Sequence, residues 1–166
     1  SICTDEHEGM ETALEALTVR GHRSILHIGH HSSAWCAANR IEALDRLAPE
    51  RDVRLVHVDV GHENLLERVT DALDPANTAL LVTGEGLGHR VLHYLRKLRL
   101  EPGREVAIVA HEMPGVSEFC SPPLTTIEQD FAGLTESAME LLGGTRTESR
   151  LIGYRFHDRE SIPLSG

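Results

Sequence analysis

Short, continuous apolar runs alternate along this chain with longer segments whose apolar residues recur at helical spacing. A half-buried strand would alternate apolar and polar side chains, whereas a strand covered on both faces by helices is apolar throughout. Right-handed βαβ units of this length build a mainly parallel sheet between two helical layers, so the pattern predicts a three-layer α/β/α fold. The predicted elements are helix 9–19, strand 24–28, helix 33–47, strand 53–58, helix 63–73, strand 78–82, helix 86–98, strand 106–109, strand 124–127 and helix 131–142.

The segment 121–131 (SPPLTTIEQDF) predicts a crossover between two lobes. Pro122 and Pro123 cannot continue a helix and lack the backbone N–H that a sheet needs, so the chain enters this segment extended and stiff. A short β-branched strand follows, and Asp130 is a suitable N-cap for a helix that closes at Gly143.

Composition indicates a compact domain with an aliphatic interior, because 40% of the residues are apolar and only 4% are aromatic. A chain of 166 residues can bury about 70% of its unfolded surface, which is enough for one core. The net charge of −10 would repel a phosphate backbone. The densest basic cluster, Arg96, Lys97 and Arg99, is typical of a solvated helix end. We therefore expect no nucleic-acid binding by these residues alone.

The cysteines and the absence of long apolar runs favour a cytoplasmic protein. Cys3, Cys36 and Cys120 form an odd set without C-x-x-C spacing, as expected in a reducing compartment. No apolar run approaches the roughly 20 residues of a membrane span, and no signal peptide opens the sequence. We expect no membrane partner.

Polar side chains cluster where the predicted parallel strands end. In an open parallel sheet, ligands bind beyond the carboxyl ends of the strands. Four predicted loops lie there, at 29–33, 59–62, 83–86 and 110–113. Carboxylates and imidazoles in one cleft suit hydrogen bonding to a polyhydroxylated or amino-bearing small molecule. The residues concerned are His30, His31, Asp59, His62, Glu85, His111 and Glu112.

Sequence patterns for a metal site, a cofactor site or a catalytic nucleophile are weaker than the pattern for a ligand cleft. His89 and His93 have i, i+4 spacing but lack the acid of an H-E-x-x-H motif, so we expect no metal. The run 84–88 is G-x-G-x-G rather than G-x-G-x-x-G, and no strand-end acid follows about twenty residues later, so we expect no dinucleotide cofactor. Acid–base chemistry by Glu85 and Glu112 leaves a small α/β enzyme as one alternative.

Seven sequence features, in order along the chain, resemble the lactose-repressor and galactose-repressor family of bacterial transcription regulators. They are Glu8-Gly9 before an amphipathic run, RGHRSI at 20–25, Arg40 in the second helix, TALLVTGEGLG at 78–88, EVAIVAHE at 105–112, PPLTTIEQD at 122–130 and the closing strand at 151–162. The resemblance covers almost the whole chain. It implies the C-terminal part of a periplasmic-binding-protein-like (type I) effector-sensing core, without the DNA-reading helix-turn-helix.

This resemblance implies a division of the chain between two lobes. Residues 1–4 would be a remnant of a first-lobe strand, and 5–122 the second lobe. Residues 123–142 would return a strand and helix to the first lobe, and 143–166 would form the closing loop, strand and tail. A small sugar-like effector would bind between the lobes of a homodimer and change operator affinity at a separate DNA-binding domain. A solute-binding receptor of the same fold is the other alternative.

The resemblance also implies which residues contact the effector. The family's ligand positions fall on Arg40, Gly84, Glu85, Glu112 and Phe131. Two further candidates are Asp59, at a strand end, and Trp35, whose ring could stack on a ligand. Gly84 and Glu85 stand where the family usually has asparagine and aspartate, and Glu112 replaces an aspartate. Because these departures cluster at the predicted site, we expect a ligand unlike the common monosaccharides, or a lost ligand response.

Overall fold

A computed structural model describes residues 1–30, 34–60, 65–73, 79–84, 86–144 and 148–163. Its elements are β1 (Ile2–Thr4), α1 (Glu6–Thr18), β2 (Ser24–Gly29), α2 (Trp35–Glu50), β3 (Arg54–Asp59), α3 (Leu65–Ala72), β4 (Ala79–Thr83), α4 (Leu87–Lys97), β5 (Ala107–His111), a 3-10 turn (Ser117–Phe119), β6 (Thr125–Gln129), α5 (Phe131–Leu142), β7 (Arg150–Ile152) and β8 (Tyr154–His157). Of these helices, none has the length and apolar character needed to cross a membrane.

The main sheet has six strands in the order β3-β2-β4-β5-β6-β8. The first five strands are parallel, and β8 runs antiparallel to β6. The carboxyl ends of β2, β3, β4, β5 and β6 therefore share one edge of the sheet, as the uninterrupted apolar runs predicted. A separate two-stranded parallel sheet joins β1 to β7.

Helices cover both faces of the main sheet, which confirms the predicted three layers. Side chains of β4 alternate between the two sides, because successive residues of a strand point in opposite directions. Ala79 and Leu81 pack with α1 and α2, whereas Leu80 and Val82 pack with α3 and α4. Both clusters are dominated by aliphatic side chains, consistent with the low aromatic content.

The first helix begins three residues earlier than predicted. Asp5 is its N-cap and accepts a hydrogen bond from the backbone N–H of Glu8 at 3.0 Å. Gly9 lies inside the helix rather than at its start. A Cβ at Gly9 would lie 2.7 Å from the Tyr154 ring, so close packing, and not helix initiation, accounts for this glycine.

Three crossover segments connect the main sheet with the β1–β7 pair and α5. They join β1 to α1, β6 to α5 and β7 to β8. The strand within 123–142 was predicted to belong to the first lobe, but β6 pairs with β5 in the main sheet, and only α5 packs against β1 and β7. Asp130 caps α5 as predicted, since its Oδ1 accepts from the N–H of Gly133 at 3.1 Å. The remaining lobe boundaries stay a prediction.

Candidate functional site

A cavity of about 370 Å³ opens at the carboxyl edge of the main sheet, beyond β2 and β4 and beside the start of α2. This is the location that the parallel topology predicts for a ligand. Two of the predicted ligand residues, Arg40 and Gly84, line it. The described residues around the cavity are His30, Ala34, Cys36, Ala37, Arg40, Thr83 and Gly84.

Arg40 is held by an internal ion pair. Its Nε donates to Oε2 of Glu6 at 2.6 Å, and its Nη2 lies 3.5 Å from Oε1 of the same carboxylate. The side chain of Glu6 is only 1% exposed and that of Arg40 11% exposed. The hydrogen bond and the charge of Glu6 raise the pKa of Arg40 above its ordinary value, even though burial, the largest single effect, acts in the opposite direction. The guanidinium therefore stays charged.

Hydrogen bonds from two crossover segments also hold the carboxylate of Glu6. The Thr4 hydroxyl donates to Oε1 at 2.5 Å, and the Tyr154 hydroxyl donates to Oε2 at 2.8 Å. Burial, and next the negative charge of Glu6, raise the pKa of Tyr154 to about 12. Gln129, at the end of β6, donates in turn to the Tyr154 oxygen at 3.3 Å. Glu6 thus connects Arg40 directly to the β1–α1 and β7–β8 crossovers. Through Tyr154 and Gln129 it also connects Arg40 to the β6–α5 crossover.

His111 lies beside this ion pair as a neutral imidazole. The backbone N–H of Gly84 donates to its Nδ1 at 3.2 Å, so the ring hydrogen is on Nε2, which has no hydrogen-bond partner among the described residues. The ring stacks on Tyr154 with a centroid separation of 6.0 Å. Burial, and secondarily the charge of Arg40, lower the pKa of His111 to about 3. His111 therefore adds no second positive charge next to Arg40.

A chain of polar side chains leads from the cavity to the surface. Thr83 Oγ1 lies 2.8 Å from His27 Nε2, and His27 Nδ1 lies 2.7 Å from His57 Nδ1. His57 Nε2 lies 3.0 Å from Oδ1 of Asp45 on α2. The two histidines are neighbours in register on β2 and β3, which explains their contact. The sequence signal for these contacts was one histidine, His27 or His57, inside each of two apolar runs. The path of the contacts from the cavity to the surface was not predicted.

Glu112, predicted as a ligand carboxylate, is occupied by another internal ion pair. Its Oε2 accepts from Nη1 of Arg159 at 2.7 Å and from the hydroxyl of Thr126. Although burial acts in the opposite direction, hydrogen bonds from Thr126, Arg159 and Ser117 lower the pKa of Glu112 below its ordinary value. Glu112 follows β5 at the predicted edge, but its carboxylate bonds to the tail and to β6. Its ligand role stays a prediction.

The other predicted site residues lie at different places. Trp35 is half exposed at the start of α2 and lines a separate cavity of about 220 Å³ against the β1–α1 junction. Phe131 is half exposed at the start of α5 and lines a small cavity with His111 and Glu112. Asp59 ends β3, in register with Gly29, and its backbone oxygen accepts from Nη1 of Arg68 at 2.7 Å. The structure brings Arg40 and Gly84 together, but not all seven residues.

Several sequence-based interpretations fall outside the described residues. They concern Glu85, His31 and His62. Within the described ranges, no three or more histidine, cysteine, aspartate or glutamate side chains are grouped to hold a metal ion.

Residues 14–162 match the family model described as a periplasmic binding protein-like domain. The chain belongs to the periplasmic binding protein-like domain family.

Individual proteins that the chain is similar to include transcription regulators. The chain is 22% identical to the lactose operon repressor of Escherichia coli K12 over 149 residues, covering 86% of the chain and 41% of that protein. A Lac repressor dimer bound to operator and the anti-inducer ONPF superposes with a TM-score of 0.85 at 20% identity, covering 99% of this chain and 61% of that one.

A further similar structure carries a sugar. It is a periplasmic binding protein/LacI transcriptional regulator from Alkaliphilus metalliredigens complexed with D-xylulofuranose, with a TM-score of 0.79 at 20% identity, covering 97% of this chain and 65% of that one. These similarities confirm the predicted fold and the predicted resemblance to proteins of the lactose/galactose repressor type. The chain spans less than half of the curated relative that it matches.

Proposed function

We propose that this chain is the effector-binding part of a bacterial transcription regulator of the lactose/galactose repressor type. A small sugar-like molecule binds in the cavity at the carboxyl edge of the main sheet. Its binding changes the relative orientation of two lobes in a homodimer, and this changes the affinity for operator DNA of a region outside these 166 residues. The protein acts in the cytoplasm.

The observation that carries the proposal is the position of Arg40 and Gly84 in one cavity at the edge where parallel strands end. Arg40 offers charge-assisted donors, and Thr83 offers a hydroxyl that both donates and accepts. A volume of about 370 Å³ is within the range of small-molecule sites. Support for the ligand class comes from the similar regulator complexed with D-xylulofuranose, and for the dimer and operator from the Lac repressor complex.

The other predicted ligand residues would contribute to effector binding in different ways. Phe131 starts α5, the helix packed on the β1–β7 pair, so it is suitably placed to form an apolar wall from the opposite lobe. Trp35 and Asp59 would contact an effector that extends past the cavity along the same edge. Glu112 would act by holding the end of β5 in place, since Arg159 already binds its carboxylate. Glu85 completes the predicted set beside Gly84.

The cysteines are consistent with a cytoplasmic regulator. Cys3, Cys36 and Cys120 are all free thiols. A reducing compartment keeps such thiols unpaired, whereas secreted domains usually pair them.

Ligand-observed saturation-transfer NMR tests the proposal, because it detects millimolar affinities. The panel contains lactose, D-galactose and D-xylulose at neutral pH. At least one sugar should give a saturable signal with the chain. Ala34→Trp places a bulky ring at the cavity wall and should abolish that signal.

The matched control is Val19→Trp, which adds the same ring at an exposed position at the end of α1, next to the amino-terminal end of β2. It should leave the sugar signal unchanged. Signals that survive Ala34→Trp, or that are lost equally in both variants, would contradict binding in this cavity.

A further inference from the structure

We propose that Glu6 determines the ligand specificity of the cavity: it neutralises Arg40 from inside the protein, so that the site accepts neutral hydroxyl-bearing ligands and rejects anions. Carboxylates and phosphates are the rejected class. The inference rests on the proposed function for the location of the site, and it adds the chemical class of the ligand.

The geometry of the ion pair leaves one guanidinium nitrogen of Arg40 for a ligand. The shortest contact, 2.6 Å, joins Nε of Arg40 to Oε2 of Glu6, and Nη2 faces the other oxygen of the same carboxylate. Two of the three guanidinium nitrogens therefore face the protein's own anion. Nη1 is the nitrogen without a carboxylate contact among the described residues. A ligand hydroxyl can accept a hydrogen bond from it without bringing a second negative charge.

Glu6 cannot easily withdraw from Arg40. Its carboxylate is 1% exposed and accepts hydrogen bonds from Thr4 and Tyr154 in addition to Arg40. An anionic ligand that displaced it from Arg40 would leave a buried carboxylate without its cation, which is strongly unfavourable. The internal carboxylate is therefore a fixed partner of the cavity residue Arg40 rather than a mobile competitor.

The charge of Arg40 at the cavity is balanced. Arg40 is the one lysine or arginine among the described lining residues, and Glu6 balances it. His111, next to the pair, is held neutral by burial and by the charge of Arg40, both of which lower its pKa. The backbone N–H of Gly84 is already donated to His111. An entering anion would therefore meet no uncompensated lysine or arginine among the described residues that line the cavity.

A purely structural ion pair would affect stability but would not control which charge the cavity binds. The test is therefore a gain of binding by a variant. Glu6→Gln keeps the side-chain length and removes the charge, so Arg40 becomes uncompensated. Inorganic phosphate is the probe, and binding is followed from the Arg40 Nε–H and Gly84 backbone signals in ¹⁵N NMR.

Phosphate should bind the Glu6→Gln variant at least about tenfold more tightly than the unmodified chain. The double variant Glu6→Gln/Arg40→Met should lose the gain, because the exposed cation is removed. Equal phosphate affinity of the unmodified chain and a folded Glu6→Gln variant would overturn the inference.

A measurement on the unmodified chain covers the case in which Glu6→Gln does not fold. The Arg40 Nε–H signal should stay unchanged as phosphate is raised to tens of millimolar, in contrast to a saturable shift if the guanidinium were open to anions. Such a saturable shift would overturn the inference. Because phosphate is not the proposed effector, these results are separate from the sugar panel, and failure of either can be told from failure of the other.

Discussion

The backbone N–H of Gly84 donates to Nδ1 of His111 at 3.2 Å, and this bond ties the end of β4 to the end of β5 at the rim of the cavity. Gly84 has φ of +130°, a conformation that side-chain-bearing residues rarely adopt. At this position the glycine offers only its backbone N–H, whereas the lactose/galactose repressor family usually has an asparagine side chain. Because this bond requires an unprotonated Nδ1, the protonation of His111 at low pH would break it.

Acidification should destabilise the protein through His111. The pKa of this imidazole is about 3 in the folded chain, against an ordinary value of 6.5. Between these values the unfolded chain binds a proton that the folded chain does not, so stability falls as pH falls. The loss approaches about 1.4 kcal/mol for each pH unit below 6.5, or about 2 kcal/mol at pH 5.

Urea denaturation at pH 7 and pH 5 measures this loss. His111→Phe keeps an aromatic ring against Tyr154 but cannot titrate, so its stability should fall less over the same interval. Glu112 is outside this window, because its lowered pKa makes its contribution disappear only at more acidic pH. An identical pH dependence in the variant and the unmodified chain would contradict the assignment to His111.

Arg40→Met should cost about 3–5 kcal/mol of unfolding free energy, because it leaves the buried carboxylate of Glu6 without a cation. Adding Glu6→Gln should recover part of that loss, since the unpaired charge disappears. Urea unfolding of both variants measures the difference. The control is Arg104→Met at the solvent-exposed Arg104–Glu101 pair, where we expect less than about 1 kcal/mol. Equal losses at the two arginines would contradict the predicted cost of leaving the Glu6 carboxylate without its cation.

Ser161→Ala should loosen the tail that closes the sheet. The buried Ser161 hydroxyl donates to the Ile108 carbonyl oxygen and accepts from the Thr125 N–H, both at 2.7 Å. Losing it leaves two buried backbone groups unsatisfied, at a cost of about 1–3 kcal/mol. Amide hydrogen exchange at Thr125 should accelerate. Ser149→Ala, at an exposed position, is the control and should change stability by less than about 0.5 kcal/mol.

Gly29→Ala should disturb the polar chain beneath the cavity. A Cβ there would lie 2.5 Å from Oγ1 of Thr83 and 3.0 Å from Nε2 of His27, so the bond between those atoms must shift. We expect a loss of about 1–3 kcal/mol. In the background Thr83→Ala the same substitution should cost less, because the closest atom is gone. Fully additive losses in this double-mutant cycle would contradict the predicted clash.

The parallel sheet and the location of the site could be predicted because both follow from local patterns. Apolar runs without alternation require burial on both faces, and parallel strands place their carboxyl ends at one edge. Arg40 and Gly84 were predicted as ligand residues through the family resemblance, and both line the cavity at the edge that the strand pattern predicted.

The partners of these residues could not be predicted, because they are distant in sequence. Glu6 lies 34 residues from Arg40 and 148 from Tyr154, and no periodicity connects them. Glu112 shows the same limit: its position at the end of β5 follows from the strand pattern, whereas its ion pair depends on Arg159 in the tail. Pairing of β6 with β5 was missed because the proline-rich entry suggested a change of lobe.

Chemical-shift mapping of the ¹⁵N-labelled chain with the best-binding neutral sugar of the panel tests most directly whether the effector binds at this cavity. Saturable shifts should concentrate on Ala34, Ala37, Arg40 and Gly84, with no comparable change at the amino-terminal ends of the strands. Shifts centred on the opposite edge of the sheet, or spread evenly over the chain, would contradict an effector site at this cavity.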